Sequence, residues 1–514
     1  MKNGIKRILI PGLAGYIALL GLLTFAESSS PDSSIQSFLD ALWYSVVTLS
    51  TVGYGDMYPT TPFGRIIGVC FVLMSLGVLS FIVGTIISFL NERMLPALQL
   101  SLVRSRPWYV FDDANEVSLA LAADLEQKDP DGVFLFPLSQ ADRVGKERNI
   151  RFYPDTMEQA VQNKADSCSL FFLNPDRSNY TPALDALSLG HPVYCRSQQV
   201  PANCPDRLTL FNRYSCCARE YWRTHGLGSM EQTVILLGDG QYAEHLLEQG
   251  LLINVFGPDH PVSYHVFGDW NEFRRNHLQL DATLSVNESS AKQDCLFFHS
   301  EPWNEGADLL RQADRIILCS DDESENLDLL RTLRKYFPTN AVLHLRAVGS
   351  IPGETVFGTN EAIYTADLVM GTQLTEIARI MHNIYAAGAD NAPRWEDLSD
   401  FLQQSNIAAA DHLLTKARIL LKNDSITALT KDICAAAFDE YCKTKDSLAD
   451  SYREIEHLRW MRFHSLYNWQ YAPVRDNAAR KHPLMIPYEA LPLTEQVKDD
   501  YAWELIGKIA EQME

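Results

Sequence analysis

The segment Thr51-Val52-Gly53-Tyr54-Gly55-Asp56 sets two glycines two residues apart in a run whose most regular chemical groups are its backbone carbonyls. Glycine reaches positive φ without steric cost, so this spacing lets successive carbonyl oxygens turn to one side. Four copies of a TVGYG loop can in this way replace the hydration shell of a potassium ion with protein oxygen. The chemistry is ion coordination by main chain, and it needs no catalytic side chain. A second constellation, Gly238-Asp239-Gly240-Gln241-Tyr242-Ala243, is a G-x-G-x-x-A turn directly after the apolar run Thr233–Leu237. Such a turn brings a phosphate close to the N-terminus of the following helix, and Asp259, 19 residues beyond Gly240, is spaced to contact a ribose. Gly257-Pro258 intervene before that acid, and the turn also serves as a purely structural strand-to-helix joint. A third group, Trp395, Trp460, Trp469, Tyr471 and Arg475, offers flat faces and a forked cation, the materials for stacking a base and gripping a phosphate. Tryptophans suit a packed core equally well, and a helical His457 suits a satisfied core position.

The elements that must hold these residues differ along the chain. Lys+Arg 44 against Asp+Glu 65 gives a net charge of −21, an acidic surface that excludes wrapping a nucleic-acid polymer. Residues 1–94 hold five basic and five acidic residues, so the excess acid belongs to 95–514. Residues 8–25 carry no charge and 63–90 only Arg65, and each run is long enough to span a membrane. Small residues in an A-x-A arrangement are missing after Phe25, which argues against a cleaved signal peptide. Lys2, Lys6, Arg7 and Arg93 flank one side while Glu27–Ser37 is acidic or neutral, so both termini are expected in the cytoplasm. Residues 38–48 form a helical pattern too short to cross, leading into the 51–56 loop at membrane depth. The ten cysteines contain no CxxC pair; the adjacent Cys216-Cys217 reads as free thiols or as a redox sensor.

This arrangement resembles the two-span potassium channels, closely from Ala41 to Arg65 and more loosely to Leu90. The resemblance implies a homotetramer in the lipid of a bacterial inner membrane, with K+ as the permeant ion. Thr51 then supplies a hydroxyl and a carbonyl, Val52, Gly53 and Tyr54 supply carbonyl rings, and Trp43 supports the filter together with Asp56. Val47 stands where many members carry a glutamate behind the filter, and Ser75 stands at the usual hinge glycine. Gly77 and Gly84 are the nearby flexible points, or sites of close helix packing.

Beyond a linker at 93–106, short apolar runs alternate with helical patterns, which implies parallel α/β sheets. Strands are expected at Trp108–Phe111, Val133–Leu138, Ser169–Asn174, Val193–Arg196 and Leu208–Phe211, then at Thr233–Leu237, Ile253–Phe256, Arg315–Cys319 and Ala341–Leu345. Two such units, 107–229 and 230–384, behind a pore resemble tandem RCK domains, Rossmann-like regulators of potassium conductance that form a gating ring. The first carries Asp112-Asp113 where the second has its glycine turn, so nucleotide is expected only at the second, on Gly238, Gly240, Ala243 and Asp259. Asp321-Asp322-Glu323-Ser324-Glu325 reads as a helix cap rather than a metal site.

Residues 385–514 are mainly helical. Glu456-His457-Leu458-Arg459-Trp460, Asn468-Trp469-Gln470-Tyr471, Val474-Arg475-Asp476 and His482-Pro483, with Trp395, Asn406 and His412 upstream, resemble the ryanodine-receptor repeat (RyR) domain. That resemblance implies a sensor for a small nucleotide, an adenine nucleotide or dinucleotide, with Trp395, Asn406, Glu456, His457, Trp460, Trp469, Tyr471, Arg475 and His482 as its ligand residues. The fold expected is a membrane α-helical pore domain (1–92), cytosolic α/β lobes and a mainly α terminal domain. The function expected is a ligand-gated potassium channel and not an enzyme. An NAD-linked redox enzyme lacks an identifiable acid/base partner and leaves the filter unexplained, and a nucleotide-signalled defence effector that depolarises the membrane would use the same parts.

Overall fold

The computed structural model describes residues 2–145, 149–162, 164, 167–198, 205, 207–284, 294–388 and 392–513. It divides into two compact units, Met1–Leu102 and Val103–Glu514.

In the first unit, helix α1 (Lys2–Glu27), the short α2 (Phe38–Leu49) and α3 (Pro62–Phe89) surround a core of Leu20, Leu23, Ala41, Ile67 and Phe71. Ser37 starts α2 with a capping box, its hydroxyl accepting from the Asp40 N–H while the Asp40 carboxylate accepts from the Ser37 N–H. Thr61 caps α3, with Pro62 at its first turn, where a missing N–H costs nothing. Beyond Phe89 the helix does not give way to an irregular linker. It passes through a π-helical turn, Leu90–Met94, into α4 (Leu95–Leu102). Proline at 96 explains the turn: it has no N–H to donate and its ring would strike the carbonyl four residues back, and the wider register absorbs both. Pro62–Leu102, 41 residues, is the one helix among the described residues long and apolar enough to cross a membrane, and the described apolar part of α1 is the shorter Ala14–Glu27.

The second unit holds two six-stranded sheets, all parallel. The first runs β3-β2-β1-β4-β5-β6 with β1 Trp108–Phe111, β2 Val133–Pro137, β3 Ile150–Tyr153, β4 Cys168–Phe172, β5 Val193–Arg196 and β6 Leu208–Phe211. The second runs β12-β11-β10-β7-β8-β9 with β7 Thr233–Leu237, β8 Ser263–Phe267, β9 Cys295–His299, β10 Arg315–Leu318, β11 Val342–Arg346 and β12 Thr355–Phe357. Both have the doubly wound order whose crevice lies where the strand order reverses, at β1/β4 and at β7/β10. The longer helices are α5 (Glu116–Lys128), α6 (Arg213–Thr224), α7 (Gln241–Ile253), α8 (Glu323–Tyr336), α9 (Thr372–Ala387), α10 (Asp400–Leu421), α11 (Lys431–Leu466) and α12 (Tyr501–Gln512).

One continuous core joins the lobes, with Phe111, Phe136 and Phe171 of the first sheet and Leu236, Tyr264 and Val266 of the second. Helix α6 carries Trp222 against α7, its indole N–H donating to the Leu246 carbonyl at 2.7 Å. Gly250 makes this contact possible, because a β-carbon there would lie 2.8 Å from the indole ring. The sequence places a strand at Ile253–Phe256, whereas the chain there ends α7 and the strand forms later, as β8. Lys431–Leu466 form one long helix, α11, with a break in helical geometry at Leu448.

Candidate functional site

In the pore unit, Thr51, Gly53 and Gly55 adopt positive φ (60°, 57° and 73°), while Val52 and Tyr54 do not. In an extended strand successive carbonyls point to opposite sides; reversing the hand at every second residue cancels that alternation and brings the oxygens to one side. Thr51 accepts a conformation that costs a residue with a β-carbon roughly 1–2 kcal/mol. The loop is tied to α2 by its own backbone, since the N–H groups of Val52 and Gly53 donate to the Val47 carbonyl at 3.1 and 3.3 Å. Trp43 Nε1 donates to Asp56 Oδ2 at 2.9 Å, and its ring stacks on Tyr54 at 6.3 Å with 6° between planes. Val52 and Tyr54 are more than half exposed in the single chain.

A brace absent from the sequence reading closes the other end of the loop. Glu27 is fully buried and accepts from Ser33 Oγ at 2.6 Å, Thr60 N at 2.9 Å, Thr60 Oγ1 at 2.9 Å, Thr61 N at 3.0 Å and Thr61 Oγ1 at 2.6 Å. The carboxylate thus pins the end of α1 to the start of α3. The expected hinge shows no deformation: Ser75 Oγ donates to the Val72 carbonyl at 2.7 Å, and α3 runs unbroken through Gly77 and Gly84. The departure from α geometry lies at Leu90–Met94 instead.

The glycine turn of the second lobe is filled. Asp321, in the loop after β10, accepts from the N–H groups of Gln241 at 3.2 Å and Tyr242 at 3.0 Å, the donors that would hold a phosphate. A β-carbon on Gly240 would lie 2.8 Å from this carboxylate, and one on Gly238 2.9 Å from the Ser320 Cα. The buried Arg346 holds the loop in place, donating from Nε to the Ser320 carbonyl and from Nη2 to the Asp321 carbonyl, each at 3.0 Å. Ala243 is buried in the core. Asp259 lies before β8, at the end of the sheet away from the turn; the acid after β8 is Asp269, whose N–H donates to Asp239 at 2.7 Å. At the turn on which a nucleotide was expected (Gly238, Gly240, Ala243 and Asp259), the chain's own Asp321 carboxylate accepts from the Gln241 and Tyr242 N–H groups, and Asp259 stands at the other end of the strands. In the first lobe Asp112 pairs with Arg177 at 2.8 Å. Asp322 caps α8, accepting from the Ser324 N–H at 2.8 Å, as its sequence position suggests.

In the terminal region the structure gathers some of the expected ligand residues and removes others. Trp460, Trp469 and His482 meet around His464, with ring centroids 3.9 Å (Trp460–His464), 5.3 Å (Trp469–His464) and 5.0 Å (Trp460–His482) apart. Trp469 is buried and stacks on Phe401 at 5.2 Å, so packing occupies the face expected for a base. Trp395 belongs to a separate core with Met381 and Leu413. Glu456 is enclosed by Lys416 Nζ at 2.7 Å and Arg459 Nη2 at 2.6 Å; burial raises a carboxyl, but these two cations hold Glu456 below its ordinary range. His457 Nε2 meets the Ile486 carbonyl at 2.8 Å, and burial lowers its imidazole. Asn406 donates to the Leu402 carbonyl of its own helix. Tyr471 and Arg475 remain exposed, and a recess of about 670 Å³ is lined by Arg475, Asn477 and Lys481, the last adjoining His482. Cys216 and Cys217 are buried, which pushes both thiols up to about 12 and makes a redox sensor chemically unfavourable.

Residues 12–92 match the family model described as Ion channel. The match covers the pore unit and leaves the α/β lobes and the terminal helices outside it. Among curated proteins, the chain is similar to a voltage-gated potassium channel of Aeropyrum pernix, 48% identical over 60 residues, 12% of this chain and 20% of that one. It is also similar to potassium voltage-gated channel subfamily A member 10 of Mus musculus, 40% identical over 77 residues, 15% of each chain. The chain spans about a fifth or less of the length of these relatives. Among solved structures, the GsuK channel is 13% identical with a TM-score of 0.32, covering 70% of this chain and 96% of that one. GsuK bound to ADP is 14% identical with a TM-score of 0.28, covering 81% and 99%.

Proposed function

We propose that this chain is the subunit of a potassium-selective channel, a homotetramer of the bacterial inner membrane with both termini in the cytoplasm. The observation that carries the reading is the alternation of hand at Thr51, Gly53 and Gly55, in a loop hung from a short helix within an ion-channel domain. Four such loops about one axis provide stacked rings of carbonyl oxygens sized for a dehydrated potassium ion. Apolar side chains exposed along α3, among them Ile66, Leu73 and Phe81, are consistent with lipid and neighbouring subunits around this helix.

In this reading the two α/β lobes are RCK-like and build a gating ring, and the terminal region is a RyR-type sensor for a small nucleotide. Because Asp321 fills the glycine turn, the nucleotide belongs to the terminal region, at the recess of Arg475 and Lys481 beside the Trp460–His482 pair. Ligand binding changes conduction by favouring one of two ring arrangements, and its effect is limited to its difference in affinity for the two. The π-helical turn at Leu90–Met94 is the point at which α3 yields. The test is flux: the protein in liposomes should pass K+ and Rb+ and largely exclude Na+, and Gly53→Ala should abolish flux, by straining a left-handed position and crowding the axis. Equal Na+ and K+ permeability would refute the assignment.

A further inference from the structure

Where α11 ends, the turn Leu466–Asn468 meets the second lobe at the end of a short helix, Asn271–Asn276, with α7 beside it. Asn468 takes a left-handed conformation, φ 58°, and its side chain spans the gap: Nδ2 donates to the Asn276 carbonyl at 2.6 Å, and Oδ1 accepts from the Gln279 N–H at 3.2 Å. His277 supplies the third tie. Its Nδ1 lies 2.8 Å from the Leu466 carbonyl oxygen and its Nε2 3.1 Å from Glu248 Oε1 of α7. A carbonyl and an ionised carboxylate only accept, and a neutral imidazole has a single N–H to give. Closing both hydrogen bonds therefore takes one proton more than a neutral imidazole and an ionised carboxylate carry.

We propose that His277 and Glu248 form a proton-operated clasp, which ties the second lobe to the turn after α11 while they hold that proton and gives up one contact when it leaves. Both side chains line a cavity of about 360 Å³ and are 17% and 35% exposed, so the proton exchanges with solvent without unfolding. From α7, Glu244 and His245 stand beside Glu248; from the terminal region, Tyr467 and Arg480 line the same cavity. Arg219 of α6 and Asp411 of α10 also line it and pair with each other at 2.9 Å, while Glu272, Arg274 and Arg275 of the short helix are exposed. Burial opposes the charged imidazole, but the hydrogen bond and charge of Glu248, the Leu466 carbonyl and the charge of Glu244 outweigh it and raise His277 above its ordinary value. A group raised in this way stabilises fully below its ordinary value near 6.5, and the contribution is lost as pH rises through the raised value. The turn so held also carries the Arg475 recess, since Arg480 Nη1 donates to the Tyr467 carbonyl at 2.7 Å and Gln470–Tyr471 pair with Lys481–His482. Release of the proton then loosens the recess from the lobe; that consequence rests on the proposed sensor, and the clasp does not.

The experiment is thermal unfolding of the full chain in detergent, parent against variants, from about pH 5.5 to about pH 9. His277→Gln removes the titrating ring. The parent should melt about 1–3 °C above this variant below pH 6.5, and the margin should shrink as pH rises beyond that. Glu248→Gln supplies an amide whose N–H donates to the bare Nε2, so the joint closes without the added proton. Its margin over His277→Gln should stay flat across the range. A parent margin that is flat or grows with pH, or a Glu248→Gln margin that falls as the parent's does, overturns the proposal. Should His277→Gln fail to fold, the parent is compared with Glu248→Gln directly: the parent should fall relative to it above pH 6.5, and parallel curves overturn the clasp. Liposome flux is read separately: a clasp that titrates without changing flux stands, and the result counts only against its coupling to the pore.

Discussion

Trp43 and Asp321 each hold a loop through contacts that one substitution removes. Trp43 holds Asp56 through one hydrogen bond and Tyr54 through a ring stack, so Trp43→Phe removes the first and keeps the second. Potassium flux should persist in that variant while Na+ exclusion weakens, read as a shift in relative permeability; unchanged selectivity would show that the bond does not stiffen the filter. Asp321 makes the opposite kind of test, because the cradle it fills is intact. In Asp321→Ala the Gln241 and Tyr242 N–H groups lose their acceptor, a loss comparable to a helix cap at about 1 kcal/mol. Inorganic phosphate at millimolar concentration should then bind and restore the melting temperature of the variant, while leaving the parent unchanged. If phosphate does neither, the cradle is not an anion site. The glycine turn itself was legible from Gly238 and Gly240, but its occupant was not, because Asp321 arrives from 80 residues away. Local spacing around it suggested only the cap that its neighbour Asp322 makes. Glu27 was hidden in the same way, since its partners Thr60 and Thr61 lie 33 and 34 residues on.

Among the elements, the short turn Val497–Asp500 ahead of α12 carries a titration near neutrality. Burial pushes the Asp499 carboxyl up to about 7, the nearby Glu456 charge adds to that, and Arg459 and Lys416 oppose it. A carboxyl whose folded value is raised binds its proton more tightly when folded. Its contribution is therefore complete below the ordinary carboxylate range near 4 and is lost as pH rises toward 7. Buried histidines such as His412 and His464, lowered by desolvation, slope the other way, so the difference between two proteins is the useful quantity. Asp499→Asn removes the Asp499 slope. Between pH 4 and 7 the melting temperature of the parent should fall relative to that of the variant, and above 7 the gap should stay constant; parallel curves throughout would place Asp499 in water. Strands formed where central runs are apolar, as at Val133–Leu138 and Arg315–Cys319. They were missed at β3, β8, β9 and β12; at β8, Ser263 and His265 interrupt the run, and the strand was placed instead at Ile253–Phe256, where α7 ends.

On the scale of the whole molecule, the ion-channel domain was legible because main-chain chemistry tolerates few alternatives to Thr51–Asp56, whereas the ties between residues 385–514 and the lobes were not. Helix α10 donates from Thr415 Oγ1 to the Ile253 carbonyl at 2.9 Å and from Arg418 Nη2 to the Arg223 carbonyl at 2.7 Å. The turn after α11 donates from Asn468 Nδ2 to the Asn276 carbonyl at 2.6 Å, and Leu466 belongs to the core shared by both sheets. Buried backbone carbonyls satisfied by another region's side chains would be orphaned if that region left, at about 1–3 kcal/mol each. The terminal helices should therefore unfold together with the lobes. Trp503 is buried and donates to the Tyr452 carbonyl at 2.7 Å, and Leu236 lies in the second sheet, in a different core cluster. Trp503→Ala and Leu236→Ala should each cost about 3–5 and 2–5 kcal/mol and should lower one and the same thermal transition of Val103–Glu514. Two transitions, with Trp503→Ala moving only one of them, would make the terminal region a separately folding domain. A single transition shifted by both makes the terminal helices part of one folding unit with the lobes.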